Sequence, residues 1–170
     1  MRQRLNGSIP SGNPQRRGMT RDDGRNATII YRVMQAVDNG RQVLVLSDRV
    51  EHCETLAKHL SEYRLRSAAF VGSVSKKKRQ LILEQANSRE LDVICATTVA
   101  DEGLDLPGLD TVMLTTPSKA LNRVQQRIGR VMRPHPDKKD PLVIDLVDEP
   151  GSLRGIAKKR LRLYTRLGCR

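Results

Sequence analysis

Gln126-Arg127-Ile128-Gly129-Arg130-Val131-Met132-Arg133 is the stretch from which the rest of the chain is best read, together with Thr97-Thr98-Val99-Ala100-Asp101-Glu102-Gly103-Leu104-Asp105-Leu106-Pro107. Gln126, Arg130 and Arg133 follow one another at steps of four and three, so a helix places them on one face. Leu121, Val124, Ile128 and Val131 mark the opposite, apolar face. A helix pinned by that apolar stripe holds two planar guanidinium groups outward, each a fork of donors suited to phosphate oxygens and always charged. A solvated amphipathic helix would carry the same pattern. Gly129 favours the first reading: inside a helix it costs about 1 kcal/mol against alanine, which suggests that something must approach the backbone there.

These residues carry a resemblance. Gln126–Arg133 resembles motif VI of superfamily 2 helicases, and Thr97–Pro107 resembles their motif V. Val43–Leu46 followed by Ser47-Asp48-Arg49 is similar to motif IV, and Gly72–Arg79 resembles the segment that follows it. The four stretches stand in the family's order, and the likeness runs from about Asn26 to Tyr164. It implies the second, C-terminal RecA-like lobe of a DEAD/DEAH-type enzyme. ATP and Mg²⁺ would then be bound only together with an N-terminal RecA-like lobe. By the same resemblance Arg130 and Arg133 are catalytic arginine fingers, and Gly103, Asp105, Gln126 and Arg127 meet ATP. Ser47, Arg49, Gly72, Arg79, Thr97 and Thr98 meet nucleic acid. Gln126 stands where DEAD-box RNA helicases usually have His, and Glu102 where they usually have Arg. Both choices look more like the branch that works on DNA.

Composition points the same way. With 31 Lys+Arg against 19 Asp+Glu the net charge is +12, which attracts a polyanion. No long apolar span, signal peptide or lipidation motif suggests a membrane. One Phe, three Tyr and no Trp leave little for stacking on single-stranded bases, so contacts to the backbone are expected. Cys53, Cys95 and Cys169 match no zinc or disulfide spacing, and buried reduced thiols in a cytoplasmic protein are the economical expectation.

Residues 1–25, rich in Gly, Pro, Ser, Asn and Arg, read as a flexible basic segment or linker, and residues 26–170 as the folded domain. Asn26 can cap a first helix with Ile30, Val33, Met34 and Val37 as its stripe. Asp48 and Glu51 have capping-box spacing before a second helix. Short apolar runs at 43–46, 67–71, 91–96, 111–115 and 142–147 alternate with helical patterns. That alternation predicts a doubly wound, three-layer α/β domain with a mostly parallel sheet. Ligands in such folds sit at the carboxyl ends of strands, where Ser47, Gly72 and Thr97 emerge.

Gly7–Gly12 and Gly103–Gly108 have the glycine spacing of a phosphate-binding loop but lack its lysine and hydroxyl, so neither serves as one. Val143–Glu149 imitates an apolar strand ending in an acidic magnesium site but comes after motif VI, the wrong order, and reads as an ordinary polar strand end. No G-x-G-x-x-G follows the first strand, which weakens a dinucleotide enzyme. The alternative to a motor lobe is a stand-alone nucleic-acid-binding module that kept the fold. Lys138, in the Pro-rich loop past the arginines, is expected to be silent when replaced.

Overall fold

A computed structural model describes residues 22–97, 106–116, 121–131, 133, 135–136, 138–147 and 152–168. Five strands, β1 Val43–Leu46, β2 Ser67–Phe70, β3 Val93–Ala96, β4 Thr111–Leu114 and β5 Leu142–Asp145, form one sheet in the order β2-β3-β1-β4-β5. Every pairing is parallel. The helices are α1 Asp23–Asp38, α2 Val50–Glu62, α3 Lys76–Asn87, α4 Leu121–Val131 and α5 Ser152–Arg166.

The central strands β1, β3 and β4 are buried at every position, and apolar at all but Thr111, because alternate side chains feed two different cores. Val43, Val45, Val93, Cys95 and Met113 pack with Ile29 and Val33 of α1 and Leu56 and Leu60 of α2. Leu44, Leu46, Ile94, Ala96, Val112 and Leu114 pack with Ile82 of α3, Val124 and Ile128 of α4, and Leu163 and Tyr164 of α5. Helices α1 and α2 thus cover one face of the sheet and α3, α4 and α5 the other, giving the three-layer RecA-like α/β arrangement. Each fully buried Val, Leu or Ile contributes about 1.5–3 kcal/mol against exposure, so both layers are needed to offset the chain's ordering entropy.

Two expected helix starts are corrected. The cap of α1 is Asp22, whose side chain accepts from the Arg25 amide at 3.0 Å. Asn26 lies inside the helix and is buried. The helix thereby takes in residues 23–25, and Arg25 is buried, its guanidinium donating to the Thr115 carbonyl past the end of β4. At α2 the cap position belongs to Arg49, with no side-chain cap bond, so Asp48 and Glu51 form no capping box. Ser75 caps α3, accepting from the Lys78 amide at 3.3 Å. Cys53 and Cys95 are buried and form no disulfide among the described residues, and burial pushes the Cys95 thiol well above its ordinary range.

Candidate nucleotide and nucleic-acid site

The register aligns the strand ends: Leu46 is level with Ala96 and Leu114, Phe70 with Ala96, and Leu114 with Asp145. Ser47, Thr97 and Thr115 therefore follow in a row along the carboxyl edge of the sheet. Gly72 lies in an exposed turn just past β2, closed by the Val74 amide donating to the Val71 carbonyl at 3.1 Å. Parallel strands converge their last peptide groups on one edge, which is why residues far apart in sequence meet here.

Ser47 and Thr97 are 1% and 6% exposed. The Ser47 hydroxyl is engaged within the fold: it lies 2.9 Å from His52 Nδ1 and accepts from the Arg49 amide at 3.2 Å. His52 Nε2 lies 2.9 Å from Asn26 Oδ1. An amide oxygen only accepts, so Nε2 carries the proton and Nδ1 accepts from the serine hydroxyl. This chain of bonds joins α1, the end of β1 and the start of α2, and holds the turn that presents Arg49, which is exposed. Sequence reading missed it, although a signal was present. His52, Leu56 and Leu60 stand four apart in one row of α2, and a histidine in a buried row requires partners.

Burial, and behind it the Arg25 charge, lower the His52 pKa from 6.5 to about 4. A folded value below the unfolded one means that the neutral ring's contribution is complete above pH 6.5 and is lost as pH falls toward 4. At about 1.4 kcal/mol per unit this amounts to at most about 3 kcal/mol. Urea unfolding at pH 7 and pH 4.5 should show the wild type losing more stability than His52→Gln. Equal losses in the two proteins would contradict this account of the histidine.

On the other face of the sheet, Val124 and Ile128 of α4 are fully buried. At about 100° per residue, positions 126 and 130 lie on the side of the helix away from them. Gln126 is exposed, Arg133 just beyond the helix is exposed, and among the described residues no atom outside the helix lies within 4 Å of where a Gly129 Cβ would stand. Packing within the described chain does not explain that glycine. Gly129→Ala should therefore raise the melting temperature of the isolated chain by roughly 2–4 °C, for about 1 kcal/mol of helix propensity. In an assembly that approaches this backbone it should lower activity. A variant of unchanged or lower melting temperature would show that the glycine has a local structural role.

Arg79, on α3, is half-buried and its Nε has no hydrogen-bond partner among the described residues. Lys76, Lys77 and Lys78 before it are exposed. Lys138, expected to be silent from sequence, has its Nζ donating to the Arg133 carbonyl at 2.8 Å, a contact to the backbone of a candidate finger. Thr98, Gly103 and Asp105 lie outside the described residues, as does Glu102. Only the backbone positions of Arg127 and Arg130 on α4 are described.

Asp145 at the end of β5 is a structural carboxylate. It accepts from Arg160 Nε and Nη2 at 2.8 Å each and from the Tyr164 hydroxyl at 2.7 Å. Burial and the neighbouring Asp145 charge push the tyrosine hydroxyl well above its usual range. Among the described residues no helix is long and apolar enough to cross a membrane.

Comparison with known proteins agrees with this geometry. A putative helicase of Sulfolobus islandicus filamentous virus (isolate Iceland/Hveragerdi) is 34% identical over 123 residues, 72% of this chain and 22% of that protein. A putative ATP-dependent RNA helicase of Acanthamoeba polyphaga mimivirus is 29% identical over 73% of this chain and 23% of its own length. The chain thus spans under a quarter of these relatives. Among solved structures, the DEAD-box protein SrmB of E. coli superposes with a TM-score of 0.68 at 22% identity, covering 82% of this chain and 78% of that one. The C-terminal part of the Fun30 ATPase domain reaches 0.69 at 18% identity, covering 82% and 45%. At such identities the superpositions speak for the fold alone. Residues 26–135 match the helicase conserved C-terminal domain, and with its parallel sheet and outward-facing α4 the chain belongs to that family, as the C-terminal RecA-like lobe of a superfamily 2 helicase.

Proposed function

We propose that this chain is the C-terminal lobe of an ATP-dependent helicase or translocase that works on nucleic acid, with DNA favoured over RNA. The observation that carries the reading is α4, anchored by Val124 and Ile128, with Gln126 exposed and space left open at Gly129 among the described residues. ATP would lie between this surface and a partner lobe, with Gln126, Arg127, Gly103 and Asp105 toward the nucleotide and Mg²⁺ held from the other side. Arg130 and Arg133 would offset the negative charge that builds on the transferring phosphoryl group. Exposed Arg49 and Gly72, with half-buried Arg79, would meet phosphates of the nucleic acid at the sheet's carboxyl edge. Thr97 and Thr98 would meet them from the end of β3, and the Ser47 hydroxyl would act by setting the Arg49 turn. Gln126 and Glu102 support DNA, because they depart from the DEAD-box RNA pattern.

Closing the cleft completes the charge-stabilising set, and opening it releases product, so the two lobes step along a strand only when both grip. The test is ATP hydrolysis by the purified chain alone and mixed with, or fused to, its N-terminal lobe, with and without DNA and RNA. The chain alone is expected to be inactive, and the fused enzyme to be stimulated more by DNA. Nucleic-acid-stimulated turnover by the chain alone would overturn the shared-site reading. Binding of nucleic acid with no activity in any fusion would favour the stand-alone binding module.

A further inference from the structure

The charge of this chain is segregated by layer. Helices α1 and α2 together carry three Lys/Arg against five Asp/Glu, whereas α3, α4 and α5 carry thirteen against one, Glu84. The largest share belongs to α5, which has no acidic residue and lies beyond the residues matched to the family, 26–135. Its inward side is occupied: Leu163 and Tyr164 are in the core and Arg160 is 1% exposed, bound to Asp145. Its outward side shows Lys158, Lys159, Arg162 and Arg166, all exposed. None of the four makes an ion pair or side-chain hydrogen bond among the described residues.

We infer that this face of α5 is a second nucleic-acid-binding surface, one that grips the phosphate backbones of a duplex. Lys158, Arg162 and Arg166 repeat every four residues and so form a row about 12 Å long, close to the width of a duplex major groove. Lys159 flanks the row. A duplex presents a phosphate every ~1.7 Å of its axis, the dense charge that such a row fits. A single strand fits it less well, because strand-binding surfaces add aromatic platforms, and the only aromatic of α5, Tyr164, is buried and donates to Asp145. A membrane fits it less well too. A surface-seated amphipathic helix needs an apolar face to insert, and that face of α5 is already packed against the sheet layer with Val124 and Ile128. The inference rests on the reading of the chain as a nucleic-acid motor lobe. It adds that the lobe holds duplex on the outward residues of α5, none of which is among the residues assigned to the strand ends.

The experiment compares the full chain with the variant Lys158→Gln/Lys159→Gln/Arg162→Gln/Arg166→Gln. Fluorescence anisotropy with labelled duplex DNA and with the corresponding single strand is measured from about 50 to 200 mM salt. The variant should bind duplex at least about tenfold more weakly at the low end, and its slope of log affinity on log salt should flatten by about 3 to 4, near 0.9 for each phosphate no longer neutralised. Single-strand affinity should change less than about twofold, and the melting temperature should hold. Unchanged duplex affinity and slope, or equal losses for duplex and single strand, would overturn the inference. So would loss of binding to phosphatidylserine vesicles with duplex binding retained. A wild-type chain that binds neither nucleic acid would sink the motor-lobe reading as well, whereas normal binding by the fourfold variant sinks only the duplex grip. If the fourfold variant fails to fold, Lys158→Gln/Arg162→Gln serves the same test with a slope change of about 2.

Discussion

Arg130→Ala in the two-lobed enzyme is expected to lower ATP turnover at least about a hundredfold while leaving nucleotide affinity almost unchanged. Arginine fingers contribute roughly 10³ to 10⁵ in rate because they meet charge that exists mainly in the transition state. A group acting there raises the barrier when removed without weakening the ground state, which separates kcat from KM. Position 130 lies on the side of α4 away from Val124 and Ile128, which carry the packing, so the melting temperature should stay nearly constant. Arg133→Ala should behave in the same way. Lys138→Ala does not serve as the control, because its ammonium holds the Arg133 carbonyl. Lys58→Ala, exposed on α2 across the sheet, does. Near-normal turnover by Arg130→Ala, or activity lost only through unfolding, would return α4 to a solvated amphipathic helix.

Asp145→Ala is expected to destabilise the isolated chain by about 3–5 kcal/mol, the usual consequence of removing one member of a buried ion pair. Arg160 is 1% exposed and both of its ordered contacts to a carboxylate come from Asp145. Tyr164 loses its acceptor in the same change. Against a total stability of about 5–15 kcal/mol for an ordinary domain, that loss is a large fraction. Asp145→Asn keeps one acceptor oxygen but removes the charge, and should fall between the wild type and the alanine variant. Urea midpoints of the three proteins decide it. An alanine variant as stable as wild type but with a weakened response to Mg²⁺ would restore the magnesium-site reading of this strand end and end the structural one.

Much of the site was legible in the sequence because it depends on local periodicity. The step of four from Gln126 to Arg130 falls inside a helix, 121–131, as its spacing requires, whereas Arg133 lies beyond the helix end, so the step of three does not place it on that face. The apolar runs became parallel strands because residues apolar at consecutive positions can bury both faces only between two helical layers. Asn26 and Asp48 were poorer guides. Capping patterns compete locally, and a neighbouring Asp22 or a turn set by Ser47 can displace them without changing the apolar stripe.

The sequence by itself determined the class of the fold, the order of the motifs and the surplus of positive charge, since each follows from spacing and composition along the chain. Only the tertiary structure decided which polar groups would be used up inside. That Ser47 binds His52, that Asp145 takes Arg160 and Tyr164, and that Arg25 reaches Thr115 depends on partners 5, 15, 19 and 90 residues apart. The longer of these separations follow no helical or strand period. The segregation of charge was decided there too, because which side of the sheet a helix covers is set by crossover and packing, and no property of the isolated segment announces it.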